Sequence, residues 1–250
     1  MILLTFNIAR SDQPFLAKKS TTETDWLPAL EDKAESIMLL LEMHEYKATF
    51  FIEVGIADHI HKLIRNIAFA GHEIALYNVN STAAAIELTK RNLEQLLEKP
   101  IRGIRQKLHR LPYPDIKNLE FSYVSNIESS KINFLWRKLT TKTHIYEQNN
   151  LTIVPESQSP YSQLPFNDYV LQVTPMKYYE NMLLESLKNN EYVMIYANSW
   201  QLFGNDESPF DLPFYKKINT GRKFEDRLEQ LLQFIDKNEL AMSRMKDYLF

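Results

Sequence analysis

Histidine is the side chain in this sequence with the widest chemical use, because it binds metals and transfers protons near neutral pH. No two of the histidines have the H-x3-H or H-x4-H spacing that would let them share a metal near a strand end. His59 and His61 are two residues apart, so on a helix they point about 200° away from each other. The sequence therefore lacks the paired imidazoles of a zinc site. The six histidines are His44, His59, His61, His72, His109 and His144.

A metal-free acid/base pair is the other chemistry to consider, and His109 is the best placed histidine for it. It lies in the segment HRLPYP, just after a predicted strand, and the ends of strands carry the sites of α/β barrels. Asp168 or Glu73 could be its partner, although nothing in the spacing requires either. Cysteine is absent, which excludes thiol catalysis and cysteine-bound metal.

A β-α-β unit in residues 47–81 is the clearest element of the predicted fold. Residues 48–53 form a short apolar run typical of a strand buried on both faces. Apolar residues recur at helical spacing from Ile56 to Ile67, and Gly71 follows where a C-cap glycine would stand. A second strand begins at Glu73, and the crossover rule makes the two strands parallel.

Strands and helices alternate along the rest of the chain, so we expect one α/β domain over residues 1–250. Residues 10–25 and 201–213 are predicted to be long loops. Further strands are predicted at 2–8, 101–105, 121–124, 151–155, 192–198 and 240–242, and further helices from about 30, at 82–98, 112–119, 178–189, 224–235 and 243–250.

These motifs resemble those of the polysaccharide deacetylases with NodB homology (carbohydrate esterase family 4). KATFF and AGHEIA are similar to the second and third strands of that family, and LLTFNIA to its first-strand motif L-T-F-D-x-E/D. GIRQ resembles the G-[FY]-R-x-P strand, and IYANSWQLF resembles the late F-H-P-W-E strand. The resemblance covers essentially the whole chain. It implies a distorted seven-stranded β/α barrel, with His72 of the GHE motif at the start of a strand and away from the metal.

The residues that carry out the chemistry in that family are replaced here. The first-strand aspartates, a general base and a metal ligand, correspond to a stretch around Asn7 that has no carboxylate. The metal-binding histidine pair falls on Tyr77 and Ser81, the late histidine on Asn198, and the glutamate after the tryptophan on Gln201. Amides and hydroxyls are poor ligands for zinc and do not exchange protons near neutral pH. We therefore expect no catalytic residue at these positions, no zinc or other metal, and no other cofactor.

The side chains that remain could still form a polar pocket. Amides keep their hydrogen-bonding capacity without charge, so the pocket either binds a carbohydrate through stacking and neutral hydrogen bonds or is a satisfied remnant of the ancestral site. Arg105 and Trp200 match the family pattern. The expected pocket residues are Asn7, Tyr77, Arg105, Asn198 and Trp200.

Composition excludes several other functions. The net charge of −3 and the scattered basic residues give no footprint for nucleic acid or an anionic membrane. Apolar runs stay well below the roughly 18 residues that span a bilayer, and Met1 leads into a predicted strand without a signal peptide. We therefore expect a cytoplasmic protein.

Three functions remain open on this sequence. The first is a catalytically inactive deacetylase homologue that binds a carbohydrate or a partner protein. The second is a carbohydrate deacetylase or other C–N hydrolase with a relocated, metal-free site. The third is an ordinary deacetylase with motifs placed elsewhere, which the histidine spacing ranks last.

Overall fold

A curled eight-stranded sheet forms the centre of the protein. The computed structural model describes residues 1–10, 26–107, 110–127, 144–210 and 212–250. The strands are β1 (Ile2–Ile8), β2 (Thr49–Glu53), β3 (Glu73–Asn78), β4 (Gly103–Lys107), β5 (Tyr123–Ile127), β6 (Tyr146–Gln148), β7 (Leu151–Val154) and β8 (Val193–Asn198).

The order of the strands is β6-β7-β5-β4-β3-β2-β1-β8. Every neighbouring pair is parallel except β6 and β7, which are antiparallel. Seven parallel strands with one short antiparallel strand at the edge thus make a half-barrel. This confirms the expected β/α barrel fold class and adds a strand that the sequence did not predict.

Helices pack on the convex side of the sheet, except the last, which joins the apolar cluster of the concave side through Met245. They are α1 (Leu27–Met43), α2 (His61–Phe69), α3 (Ala83–Leu97), α4 (Tyr113–Asn118), α5 (Asp168–Val173), α6 (Met176–Asn189), α7 (Arg222–Lys237) and α8 (Met245–Leu249). Three short 3₁₀ turns occur at Val54–His59, Ser199–Leu202 and Phe214–Lys216. Among the described helices, none combines the length and apolar character that crossing a bilayer requires.

Strands β1, β2, β3, β5 and β8 are buried on both faces, and in β1 the two faces differ in chemistry. In β1, Leu4, Phe6 and Ile8 belong to the large apolar cluster shared with the helices. The alternate residues Thr5 and Asn7 are also fully buried and point toward the concave interior, because successive side chains of a strand alternate between faces. The polar side chains of β1 therefore lie inside the curl.

Three predicted elements differ from the structure. The crossover between β2 and β3 is a 3₁₀ turn followed by α2, rather than one helix, and Gly55 in the turn disfavours a regular helix there by about 1 kcal/mol. Residues 240–242 form no strand, since Met242 makes only an isolated bridge with Ile2. The predicted loop at 201–213 begins inside a 3₁₀ turn that an Asn198–Gln201 capping box stabilises.

Candidate functional site

Polar side chains from several strands meet inside the curled sheet, toward the carboxyl ends of β1 and β8. Asn7 is the penultimate residue of β1 and is in register with Asn198, the last residue of β8. Arg105 lies in the middle of β4, in register with Tyr77 of β3. The exposed fraction is 0% for Asn7, Tyr77 and Arg105 and 4% for Asn198. The fold therefore brings these four predicted site residues into one water-poor region.

A directional chain of hydrogen bonds connects this region from a cation to an anion. Arg105 Nη1 donates to Asn7 Oδ1 at 2.7 Å, and Asn7 Nδ2 donates to Asn198 Oδ1 at 2.8 Å. Asn198 Nδ2 then donates to Asp168 Oδ2 at 2.7 Å. Each amide accepts from one neighbour and donates to the next, and this orientation is the one that satisfies every partner.

Arg105 makes more contacts than any other side chain in this series of hydrogen bonds. Its guanidinium also donates to Ser125 Oγ at 3.1 Å and to Thr5 Oγ1 at 2.9 Å. The Phe51 ring lies beneath it, with the guanidinium carbon 3.8 Å from the ring centre, a cation–π contact strengthened by the lack of water. Burial lowers the pKa of Arg105 to about 10, so the side chain carries its charge at neutral pH.

The series of hydrogen bonds that starts at Arg105 ends at a buried ion pair, Asp168 with Lys216. Asp168 begins α5, whose N-cap Asn167 accepts a hydrogen bond from the backbone N–H of Val170 at 2.9 Å. Lys216 Nζ lies 3.5 Å from Asp168 Oδ2, and both side chains are more than nine-tenths buried. The same ammonium lies 5.0 Å from the centre of the Trp200 ring. The indole of Trp200 therefore packs against an internal cation.

Two buried glutamines fasten α5 to the end of β8. Gln201 Oε1 accepts from the backbone N–H of Asn198 at 2.9 Å, and its Nε2 donates to the backbone oxygen of Asp168 and to Gln172 Oε1. Gln172 Nε2 in turn donates to the backbone oxygen of Lys216 at 2.9 Å. Both glutamines are 0% exposed. Gln201, which stands where the family resemblance places a late glutamate, thus has a structural role: together with Gln172 it holds Asp168 and Lys216 in place.

Ser81 and Trp200 are placed differently from the other predicted site residues. Ser81 lies in the turn after β3, where its backbone N–H donates to Asn78 Oδ1 at 2.8 Å. Trp200 is joined to the site through Lys216, and its Nε1 has no hydrogen-bond partner in the part of the chain that the structure describes. The structure thus places Asn7, Arg105 and Asn198 in direct contact and adds Asp168 and Lys216 to them.

Asp168 and Lys216 were not predicted as parts of this cluster. The sequence indicates Asp168 only as a partner for His109, which lies outside the described residues, so that pairing stays a prediction. The pair Asn167-Asp168 is a helix N-terminal signal that would have placed α5. Nothing in the segment PFYKKI marks Lys216 as the buried lysine.

His72 and Glu73 lie at the amino end of β3, the opposite end from Asn198. His72 Nδ1 accepts from the backbone N–H of Ala48 at 3.1 Å. The Glu73 carboxylate accepts from Thr49, from Tyr123 and from the backbone N–H of Lys246. The prediction that the GHE histidine begins a strand away from the site is confirmed.

Solved structures with this architecture come from several proteins. A probable polysaccharide deacetylase from Pseudomonas aeruginosa PAO1 has a TM-score of 0.63 at 13% identity, covering 98% of this chain and 88% of that one. Puue allantoinase has a TM-score of 0.61 at 15% identity, covering 98% and 87%. A CE4 family pseudoenzyme from Bacillus anthracis has a TM-score of 0.53 at 10% identity, covering 100% and 65%.

The chain has the polysaccharide deacetylase fold. No protein-family model matches the sequence, and no curated protein sequence matches it. Identities this low establish the fold, and activity must be argued from the site itself.

The site of this deacetylase-fold chain does not fit the metal that the family resemblance implies. The described residues contain no group of three or more histidine, cysteine, aspartate or glutamate side chains placed to hold a metal ion. At the position of the aspartate ligand, the Asn7 oxygen already accepts a hydrogen bond from Arg105. A divalent ion bound there would lie beside the Arg105 guanidinium, and the repulsion is on the order of several kcal/mol at such distances.

Proposed function

We propose that this chain is a catalytically inactive relative of the polysaccharide deacetylases that acts by binding a carbohydrate. The direct hydrogen bond from Arg105 to Asn7 carries the proposal, because it places a fixed cation beside the residue that would have to bind the metal. Between Arg105 and Asp168, the series of hydrogen bonds passes only through the neutral amides of Asn7 and Asn198. None of these amides can generate or receive the proton that deacetylation requires.

The buried cluster supports a structural role for the ancestral site, so we propose ligand contacts further out. Lys216 closes the cluster from a 3₁₀ turn whose neighbouring residues Phe214 and Tyr215 are 84% and 48% exposed. Tyr169, next to Asp168, packs edge-on against Tyr215 with ring centres 6.2 Å apart. Aromatic rings at the rim of a polar site offer flat apolar faces with polar groups beside them. Such a surface suits a sugar ring, which has an apolar face and a hydroxyl edge.

Binding and activity can be tested separately on the same protein. We expect isothermal titration calorimetry to detect binding of an N-acetylglucosamine oligomer or of acetylated xylan. Phe214→Ala or Tyr215→Ala should weaken that binding about tenfold. Phe69→Ala is the matched control, since Phe69 is 96% exposed at the end of α2. Binding that is weakened equally by the control, or left unchanged by the two rim variants, would refute the carbohydrate site. No binding of either glycan would favour a partner protein as the ligand.

The catalytic half of the proposal predicts that acetate release stays at background with both glycans, with or without added Zn²⁺. Loss of a whole catalytic unit costs a factor on the order of 10⁶ in rate. Acetate release above background that disappears on removal of metal would overturn the proposal directly.

The buried Asp168–Lys216 pair supports one alternative, a hydrolase with a relocated metal-free site. A carboxylate and an ammonium held together could act as base and acid. Turnover that survives a chelator and is lost in Asp168→Asn or His109→Ala would select this alternative over the inactive homologue.

A further inference from the structure

A small cavity opens at the amino ends of β3 and β4, at the opposite end of the sheet from the candidate functional site. Its volume is about 80 Å³, enough for several water molecules and so for a small oxyanion. Its walls come from three separate parts of the chain: the turn before β3, residues 97–102 and the C-terminal residues 244 and 246.

Cations dominate the walls of this cavity. Lys99, Arg102, Arg244 and Lys246 all line it. The Glu73 carboxylate also lines the cavity, but its oxygens already accept hydrogen bonds from Thr49, Tyr123 and the backbone N–H of Lys246. Arg244 also pairs with Asp247, so the positive charges still outnumber the negative ones. Such a concave surface raises the local concentration of anions.

A buried histidine supplies the second observation. His72 lines the cavity and is 5% exposed. Its Nδ1 accepts from the backbone N–H of Ala48, so the proton of the neutral ring is on Nε2. That Nε2–H has no hydrogen-bond partner among the described residues, so it is available to an acceptor bound in the cavity. Burial, and then the charges of Lys47 and Arg244, lower the pKa of His72 to about 4.

We propose that this cavity binds a small oxyanion, either inorganic phosphate or the phosphate group of a monoester, through His72 Nε2–H and the surrounding arginine and lysine side chains. An oxyanion supplies the acceptor that the histidine Nε2–H lacks and a negative charge for the surrounding cations. The site is independent of the proposed carbohydrate surface, since the two lie at opposite ends of the strands.

The proposal can be tested by titrating the full chain with phosphate at constant ionic strength, with chloride as the reference salt. We expect saturable binding by calorimetry and a shift of the His72 ring signals in NMR. Bound phosphate should also raise the pKa of His72, whose charged neighbours are Lys47, Glu73, Lys99, Arg102, Arg244 and Lys246. The affinities for phosphate and for glucose 6-phosphate are then compared, and the tighter ligand shows whether the site prefers the free ion or a monoester.

Substitutions separate the site from a general attraction of anions. Arg102 is exposed and has no role in the core, so Arg102→Gln should fold normally and weaken phosphate binding about tenfold, the loss of one charge-assisted hydrogen bond. His72→Gln keeps an acceptor for Ala48 and should weaken binding as well. Arg222→Gln, which removes an exposed charge at the start of α7, is the control and should leave binding unchanged. Absence of saturable binding, or equal effects of Arg102→Gln and Arg222→Gln, would overturn the proposal.

Discussion

Arg105 is a fully buried cation whose hydrogen bonds all go to neutral groups in the described part of the chain: Ser125, Asn7, Thr5 and the sulfur of Met194. Its charge is tolerated because the planar guanidinium spreads it over three nitrogens, each of which donates to a partner. The two asparagines extend the compensation toward Asp168, since each polarised amide aligns the next. Asparagine suits Asn7 better than aspartate here, because only an amide can accept from Arg105 and donate to Asn198 at once.

Replacing Arg105 should show how much the cluster contributes to stability. Arg105→Met keeps an unbranched apolar stem and removes the donors, which leaves buried acceptors such as Asn7 Oδ1 unpaired. We expect the free energy of unfolding in urea to fall by about 2–4 kcal/mol. Arg105→Lys should rescue little of this, since one ammonium cannot reach Ser125, Asn7 and Thr5 together. Arg222→Met on the exposed side of α7 should change stability by no more than about 0.5 kcal/mol.

His72 should make the stability of the protein depend on pH. Its pKa in the folded state is about 4, below the ordinary value of about 6.5, so the unfolded chain binds more protons between these values. Its contribution is complete above pH 6.5 and is lost as the pH falls toward 4. Between pH 7 and pH 5 the loss should be about 1–2 kcal/mol in chloride buffer.

The comparison that isolates this effect is His72→Gln, because glutamine does not titrate. Burial raises the pKa of Glu73, which acts in the opposite direction and is present in both proteins. Unfolding free energies measured at several pH values should fall more steeply toward acid in the wild type than in the variant. Parallel curves would show that His72 is protonated without cost in the folded protein.

At the level of elements, α5 and the turn after β8 behave as one unit because Gln201 connects them. Its side chain bonds to Asn198, Asp168 and Gln172 at once. Gln201→Leu keeps the volume and removes all three bonds, and we expect a loss of about 2–4 kcal/mol in the free energy of unfolding. Hydrogen exchange at the backbone N–H of Asn198 should also become faster.

Gln233→Leu is the matched control for that substitution. Gln233 is exposed on α7 and has a single side-chain bond, to Glu229, so its loss should be close to neutral. A similar loss of stability in both variants would mean that the buried amide bonds do not hold α5 to the sheet.

The sequence predicted the elements whose signal is local. The apolar run of β2, the helical spacing of α7 and the proline before α4 each predicted an element that the structure contains. Strand β6 was missed because it has three residues and only partial burial, so it carries no alternation. The buried Lys216 was missed for a different reason: its burial depends on Asp168 and Trp200, which lie far from it in the chain.

On the scale of the whole molecule, the curled sheet places two different polar clusters at its two ends. The carboxyl-end cluster contains the residues that the resemblance singled out, and it is internally satisfied from Arg105 to Asp168. The amino-end cluster, with His72 and Glu73, leaves a ring nitrogen without a hydrogen-bond partner among the described residues and carries more positive than negative charge. The proposed anion site therefore lies at the amino ends of the strands, whereas the family motifs mark the carboxyl ends.

The metal-binding capacity of the whole fold gives the last prediction. We expect the purified protein to retain no stoichiometric zinc, cobalt or nickel after dialysis, as measured by elemental analysis. Restoring the family pattern through the substitutions Asn7→Asp, Ala9→Glu, Tyr77→His, Ser81→His and Asn198→His should give about one metal ion per chain.

Deacetylase activity in that restored variant should remain at background, because metal binding and turnover depend on different groups. Ligands need only meet at one point, whereas turnover also needs outer hydrogen bonds that orient them, and loss of such partners typically costs 10–100-fold. Asn198→His removes the bond to Asp168, so Asp168 and Lys216 would have to find new positions. Asn7→Asp alone is the control and should bind no metal. About one zinc ion per chain in the unmodified protein, lost on changing Tyr77 or Ser81, would contradict the assignment of these positions as degenerate ligands.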